Sequence, residues 1–358
     1  MKKATNRHLY FVNAPTDIFF IGGASFLLYF GLMFFYSDIR TPEIITAGVI
    51  LSWLINWPHF SMSTYRLYQN KANIRRYPFT AYAIPIIVFC GVILSFKYPL
   101  IVAPIFIKLF MIWSPYHFAG QTIGITFVYA MRAGINLTTL EKKVFAYFIF
   151  LTFFVSTIRA EVSREGYSFY SIKYPSFAVP QWIADIAEYG LWLSLFALAI
   201  LVVRWSYKNK QFLPLIVILP AATQYLWFIQ SVYKPSFQEF VPMLHSLQYI
   251  IIAWGLQLKE KIDIKKITPS RKYVVWETAR WLSINFVGGV ILFFMLPKIG
   301  SLLNFSAFFS IAVVFAAVQI HHFFVDGVIW KLRNSAVAHP LTMTLGDLTG
   351  KNKEPYQS

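Results

Sequence analysis

Two adjacent histidines and an aspartate interrupt an apolar stretch near the end of the chain, in the segment AVQIHHFFVDGVIW. Asp326 follows His322 by four residues, so the two side chains share one face of a helix. Imidazole nitrogens and carboxylate oxygens bind transition metals or carry protons, and they are costly to bury among aliphatic side chains. These residue types therefore indicate a metal site or a proton relay.

Three further histidines lie in other apolar stretches of the chain: His59, His117 and His245. Their stretches are even-numbered when the predicted membrane spans are counted, so they run in the same direction as the stretch that holds His321 and His322. Segments with a shared direction can bring side chains to a common depth. We therefore predict that these five histidines bind one metal ion.

An amide side chain lies one helical turn from a histidine in each of these four stretches, and so on the same helix face. These amides are Asn56, Gln121, Gln248 and Gln319. Such neighbours are typical of the groups that hold the second ring nitrogen of a metal-bound imidazole. We predict that they orient the bound metal or cofactor. The alternative is that each amide and its histidine only hydrogen-bond each other in a dry helical bundle, since such a pair has the same spacing.

The residue types also narrow the choice of metal. Imidazole binds iron, copper and zinc, and several histidines with a carboxylate are typical of non-haem iron or zinc. The single cysteine, Cys90, excludes a site made of clustered thiolates or an iron–sulfur cluster. Iron is the predicted ion, copper and zinc are alternatives, and a haem held by two histidines is a further one.

The composition predicts the elements that must position these residues. Hydrophobic residues make up 57% of the chain and charged residues only 13%, whereas soluble proteins average about 25% charged residues. Apolar runs recur that are long enough to cross a hydrocarbon core of about 30 Å as helices. The sequence therefore predicts an all-α, polytopic membrane bundle with a lipophilic substrate and membrane lipids as its partners.

The net charge of +17 would suggest nucleic acid as the partner of a soluble protein. Here the cations cluster in short loops between apolar runs, where they set topology and face anionic lipid, so we predict no nucleic-acid binding. Most of the 32 lysine and arginine residues fall on one side if both termini are cytoplasmic. We predict a single membrane domain over 1–330, a polar cytoplasmic tail over 331–358, and a bacterial inner membrane as the location.

The apolar windows predict ten spans, which are 16–36, 43–63, 79–96, 99–131, 143–158, 182–203, 211–232, 236–258, 273–296 and 301–329. The ninth carries Glu277 and Arg280, three residues apart on one face. Ionisable groups inside a membrane often mark sites, so we predict a catalytic role for both, together with Asp326. An internal ion pair without catalytic function is the alternative for Glu277 and Arg280.

One segment resembles a known family. INWPHFSMSTYRLY, residues 55–68, places a Pro-His pair near the inner end of a span. It resembles the Pro-His segment of the microbial membrane β-carotene cleavage dioxygenases, in which histidines on several spans hold one iron. The resemblance implies that His59 is an iron ligand. The glycine before the proline, the Gly-Ala after the histidine and the later Asp-His of that family are not found here.

These observations predict a membrane-embedded, metal-dependent oxidoreductase that acts on a lipid or an isoprenoid near the cytoplasmic leaflet. Oxygenation, hydroxylation and desaturation are the reaction types that suit non-haem iron. A proton- or cation-coupled transporter is the first alternative, since histidines and carboxylates also carry protons. A membrane factor for haem or metal assembly is the second.

Overall fold

The computed structural model describes residues 9–36, 41–330, 341 and 343–350 of the chain. It is 81% helical, and its described residues contain a single two-stranded sheet. The predicted all-α class is confirmed.

Ten long helices form the described part of the chain and are labelled in chain order. They are α1 (Ala14–Phe35), α2 (Pro42–Tyr68), α3 (Phe79–Lys97), α4 (Val102–Arg132), α5 (Thr139–Ala160), α6 (Gln181–Asn209), α7 (Leu215–Tyr233), α8 (Val241–Lys265), α9 (Arg271–Leu302) and α10 (Ala307–Ile329). Within the described residues, nine are long and apolar enough to cross a membrane. The exception is α8, which begins at Val241 and so overlaps the predicted span 236–258 without its first five residues. The chain is a multi-pass membrane protein, while ten crossings and cytoplasmic termini stay predictions.

The remaining elements are short. Three helices of a few residues each and one hairpin complete the described chain: Lys71–Arg76, Pro235–Gln238, Leu345–Leu348, β1 (Tyr167–Phe169) and β2 (Ile172–Tyr174). The two strands are antiparallel, with Tyr167 opposite Tyr174. The hairpin lies in the connection between α5 and α6, and its buried Ile172 packs into a hydrophobic cluster formed by α3, α4 and α10.

A buried ion pair ties this connection to the bundle. Lys108 of α4 pairs with Glu161, which directly follows α5, and both side chains are buried. The other carboxylate oxygen of Glu161 accepts a hydrogen bond from the Phe177 amide at 2.9 Å. The Lys108 ammonium also lies 4.5 Å from the centre of the Phe177 ring. Lys108 is therefore a neutralised structural cation.

Prolines explain why several helices widen locally. A proline lacks the amide hydrogen, and its ring clashes with the carbonyl four residues earlier, so the regular ladder cannot continue through it. In these helices the backbone forms a π-helical turn that includes the residue four positions before the proline. The pairs of turn and proline are Ser52–Asn56 with Pro58, Phe79–Ala83 with Pro85, and Ile291–Met295 with Pro297. The first of them directly precedes His59.

The helices that carry the intramembrane histidines pack in the interior. In α10, 56% of the apolar stretch is buried, and in α2 44%, against 22% in α1, α6 and α9. α10 contacts α2, α3 and α4, and α8 contacts α2 and α9. The fully buried Ala312 and Ala316 keep α10 thin enough for this central position. The core of the bundle is therefore the place where polar side chains from these helices can meet.

α9 fixes the segment of α2 that carries His59. A Cβ atom on Gly289 would lie 2.8 Å from the backbone carbon of Trp57, and one on Gly288 would lie 2.2 Å from the Ser61 hydroxyl. Both distances are shorter than van der Waals contact. The two glycines therefore let α9 approach the backbone on either side of His59.

Part of the predicted tail packs back onto the bundle. Arg132, at the end of α4, donates to the carbonyl oxygens of Leu341 at 2.5 Å and Met343 at 3.0 Å. The Leu345 amide donates to the Phe11 carbonyl at 2.7 Å. Leu341 is buried against α4 and α8. The remainder of the predicted tail, 331–340, 342 and 351–358, lies outside the described residues.

Replacing Gly289 by alanine tests the close contact between α2 and α9. We expect Gly289→Ala to lower the free energy of unfolding by about 1–3 kcal/mol, because the added methyl group overpacks the Trp57 backbone. The midpoint of thermal unfolding in detergent measures the effect. Gly31→Ala is the control, since a Cβ there meets nothing within 4 Å. Equal midpoints for the two variants would contradict the contact.

Candidate metal centre

Three helices bring four possible metal-binding side chains together inside the bundle, and these four residues are called the ligand group. His59 comes from α2, His117 from α4, and His322 and Asp326 from α10. One ligand atom from each residue lies within 4.8 Å of the others, and all four side chains are buried. This ligand group can bind a metal ion, because imidazole and carboxylate are metal donors and the protein supplies them from different helices.

The distances within the ligand group fit shared coordination. His117 Nε2 lies 3.2 Å from His322 Nε2, and Asp326 Oδ2 lies 3.5 Å from His322 Nε2 and 3.8 Å from His117 Nε2. Two nitrogens bound tetrahedrally at 2.0–2.1 Å from one ion would be about 3.3 Å apart. The facing nitrogens of His117 and His322 therefore have the separation of two ligands to one metal.

Unpaired nitrogens give a second indication of a cation. Among the described residues, neither ring nitrogen of His59 has a hydrogen-bond partner, and His322 Nδ1 has none either. Buried polar atoms are nearly always paired, since an unpaired one costs about 1–3 kcal/mol. A metal ion would satisfy one His59 nitrogen and neutralise Asp326. The donor set fits iron, zinc or copper.

His245 of α8 lies beside the ligand group without belonging to it. Its ring centre is 5.3 Å from that of His59 and 5.3 Å from that of His117. The ring stacks flat on Phe118, with 3.8 Å between the ring centres. Both of its nitrogens are buried without a hydrogen-bond partner in the described structure. His245 is thus close to the predicted metal without supplying one of the four converging atoms.

His321 is the histidine that the structure does not bring to the site. It is only partly buried and lies outside the ligand group. Adjacent residues of a helix diverge by about 100°, so His321 and His322 face different neighbours. The metal-ligand prediction for His321 therefore has no support from the geometry.

Residues four positions after three of the histidines form a second polar layer. His59 contacts the rings of His245 and His322, with ring centres 5.3 Å and 4.6 Å away. One turn further along each helix, Ser63 of α2 bonds to both Tyr249 of α8 and Asp326 of α10. Contacts that recur at equal offsets require α2, α8 and α10 to run in the same direction.

The hydrogen bonds of this second layer all point toward Asp326. Ser63 Oγ donates to Asp326 Oδ1 at 2.6 Å, which uses its only proton. The bond of 2.8 Å between Ser63 and Tyr249 must then be donated by the Tyr249 hydroxyl. The Trp330 indole, which can only donate, gives its proton to Tyr249 at 3.2 Å. This series of hydrogen bonds holds Oδ1 of Asp326 and leaves Oδ2 facing the imidazoles.

Three of the four amides that the sequence placed beside the histidines hydrogen-bond to other groups. Asn56 Oδ1 accepts from the Ser246 hydroxyl at 2.7 Å, Gln121 donates to the His245 backbone carbonyl at 3.0 Å, and Gln248 donates to the Ile21 carbonyl. Gln319 is buried on α10, outside the ligand group. Gln121 and Gln248 thus bond to backbone carbonyls and Asn56 to a serine hydroxyl, and none of these bonds holds an imidazole nitrogen.

Glu277 and Arg280 pair with each other on α9. Arg280 donates to both carboxylate oxygens of Glu277, at 2.6 and 2.8 Å, and to the Tyr65 hydroxyl at 3.0 Å. Glu277 also accepts from Gln257 at 2.8 Å. Neither residue touches the ligand group in the contacts described. This is the internal ion pair that the sequence offers as the alternative to a catalytic role.

An apolar cavity of about 290 Å³ adjoins the ligand group. His117 and Asp326 form part of its wall, and Trp113, Tyr249 and Phe323 supply aromatic surface. A ligand in this cavity would therefore contact the metal-binding side chains directly. Its volume lies near the lower end of the 300–1,000 Å³ of typical ligand pockets.

Sequence reasoning missed Ser63 and Tyr249. Both follow a histidine by four residues, as Asp326 does, so the same-face spacing carried a usable signal. A hydroxyl in an apolar helix is common and bonds readily to its own backbone, which hides the few that have another role. Only the packing of α2 against α8 and α10 singles these two out.

Comparisons of the chain with family models, with curated proteins and with solved structures found no match. The resemblance of residues 55–68 to the membrane β-carotene cleavage dioxygenases therefore stays a prediction. What supports a function for this chain is the arrangement of its own residues.

Removing the Ser63 hydroxyl tests the support of Asp326. We expect Ser63→Ala to weaken metal binding by roughly 10–100-fold, because the carboxylate loses the bond that orients it. Titration of the purified protein with a metal against a competing chelator measures the affinity. Ser95→Ala is the control, since Ser95 is also buried but bonds only to the Gly91 carbonyl in the contacts described. Unchanged affinity in Ser63→Ala would contradict the positioning role.

Proposed function

We propose that this chain is a membrane-embedded, metal-dependent oxidoreductase that uses non-haem iron to act on a lipid-soluble substrate. The observation that carries the proposal is the ligand group itself, because His117 and Asp326 belong both to the group and to the wall of the apolar cavity. A metal bound there would face whatever occupies the cavity.

The surroundings favour oxidation over hydrolysis. A zinc hydrolase needs a supply of ordered water, and water is held by polar partners, which this mostly apolar cavity supplies in small number. Dioxygen is apolar and dissolves in hydrocarbon, so it reaches such a cavity from the bilayer. Histidines with a carboxylate and open coordination positions are the donor set of non-haem iron oxygenases.

The residues of this site would have separate roles. His59, His117, His322 and Asp326 would hold the iron, and bound iron supplies the redox chemistry. Ser63 and Tyr249 hold the carboxylate in place through the hydrogen bonds that end on Asp326. The aromatic rings of Trp113 and Phe323 exclude water from the cavity and shape it around an apolar substrate.

The transporter stays the alternative, because a buried histidine and aspartate group also suits a proton relay. Stoichiometric metal in the purified protein separates the two functions. The iron, the lipid partners, the resemblance to the dioxygenases and the bacterial inner membrane are parts of the proposal that follow from the sequence alone.

Elemental analysis of the purified protein tests the metal site. We expect about one iron per chain in the unaltered protein and an optical spectrum without a haem band. Separate alanine substitutions at His59, His117, His322 and Asp326 are expected to lower the bound metal strongly, since each removes one donor.

His321→Ala is the matched control for these variants. It removes an adjacent histidine of the same helix that lies outside the ligand group, so its iron content should equal that of the unaltered protein. A protein that binds no metal, or that binds equal metal in all five variants, would overturn the proposal.

Lipid analysis tests the oxidative activity. Cells that express the unaltered protein under ¹⁸O₂ are expected to contain a lipid that has gained ¹⁸O or lost two hydrogens, because oxygenation and desaturation leave these mass changes. Cells that express His322→Ala should lack the product. Identical lipid profiles from both cultures would contradict an oxidoreductase of lipids.

A further inference from the structure

The cavity beside the ligand group is long and narrow. Its lining on α4 repeats every three or four residues from Trp113 to Val128, which is one face of the helix. Fifteen residues at 1.5 Å each span about 22 Å. A volume of about 290 Å³ spread over this length describes a slender channel.

Three glycines create the open space in this channel. A Cβ atom built on Gly120, Gly124 or Gly327 would meet nothing within 4 Å, and all three line the cavity. Gly120 and Gly124 lie one turn apart on α4, and Gly327 lies on α10. Other glycines of the bundle, such as Gly289, sit where a neighbouring helix occupies the space. The glycines of the channel therefore leave room for a ligand.

The channel opens sideways between α4 and α10. Gly120 and Gly327 are exposed, one on each helix, and the neighbouring Tyr116 is about half exposed. Gly120 and Tyr116 lie inside the apolar span α4, and Gly327 lies two residues before the end of α10, so we expect the opening to face hydrocarbon near the end of the span. A molecule that passes through the opening comes from the bilayer.

The ligand group gives the channel a reactive end. His117 lies one turn from Trp113, and about 16 Å of channel extends from His117 to Val128. His59, which is fully buried, contributes one unpartnered ring nitrogen to the same group. A chain in the channel would thus present one part to the metal and lay the rest along apolar wall.

We propose that this channel binds one extended hydrocarbon chain, of a lipid or of an isoprenoid, which passes between Gly120 and Gly327 from the bilayer. The three glycines set the width of the channel and so decide which chains reach the metal. The inference rests on the proposed function, because it identifies the substrate class for the same site.

Leucine substitutions test the channel. The full-length protein in nanodiscs is irradiated with a diazirine-bearing hexadecanol or with a diazirine-bearing geranylgeraniol, and labelled peptides are identified by mass spectrometry. We expect labelling on α4 between Trp113 and Val128 and on α10 between Phe323 and Trp330. Gly120→Leu, Gly124→Leu and Gly327→Leu should each reduce it at least about tenfold, which corresponds to about 1.4 kcal/mol.

Gly31→Leu is the matched control, since a Cβ atom there also meets nothing within 4 Å and Gly31 lies outside the channel. Its labelling and the metal content of all four variants should equal those of the unaltered protein. Labelling by hexadecanol supports an acyl-type chain and labelling by geranylgeraniol an isoprenoid. Labelling of the channel by neither probe, or equal labelling in the leucine variants, overturns the proposal.

Metal content separates this inference from the proposed function. Channel labelling in a protein without metal would leave the chain-binding site in place and overturn the oxidoreductase. Stoichiometric metal, together with labelling that is the same in the glycine-to-leucine variants as in the unaltered protein, would overturn the channel and leave the metal site in place.

Discussion

The burial of three imidazoles and a carboxylate in an apolar bundle is the constraint on which the rest of the structure depends. Each group loses its hydration, and a buried polar atom without a partner costs free energy that the bundle must recover elsewhere. His59 has no hydrogen-bond partner among the described residues, while Asp326 accepts a hydrogen bond from Ser63 on Oδ1 and faces the imidazoles of His117 and His322 with Oδ2. A cation bound between these groups would supply a partner for His59 and would balance the charge of Asp326.

Parallel helices make this convergence possible. Because α2, α8 and α10 run in one direction, a shift of four residues along each moves the contacts by one turn and keeps them together. The histidine layer is therefore followed by the layer of Ser63, Tyr249 and Asp326. The first layer contains imidazoles that could bind a metal, and the second positions the carboxylate of the same ligand group. The four-residue spacing within each helix and the shared direction of the helices together place the second layer one turn from the first.

The sequence identified candidate site residues only from their spacing within single apolar stretches. His59, His117, His322 and Asp326 could be chosen because ionisable residues are rare and costly in apolar stretches. His321 and the amides fit the same patterns and yet face elsewhere, since the rotation of a helix about its axis is set by packing. Asn56 and Gln248 bond to Ser246 and to the Ile21 backbone, which no spacing could reveal.

Composition alone determined that this is an all-α membrane protein, because 57% hydrophobic residues in long runs can be accommodated only by helices in lipid. The order of the residues placed His59, His117, His245 and His322 in apolar stretches, where the structure finds them buried, but it placed the partly buried His321 there as well. Tertiary structure decided which of them meet, which hydroxyls support Asp326, and that glycines on α4 and α10 leave open space in a cavity beside the candidate ligands. Those outcomes depend on contacts between residues far apart in the chain, and such contacts exist only once the helices have packed.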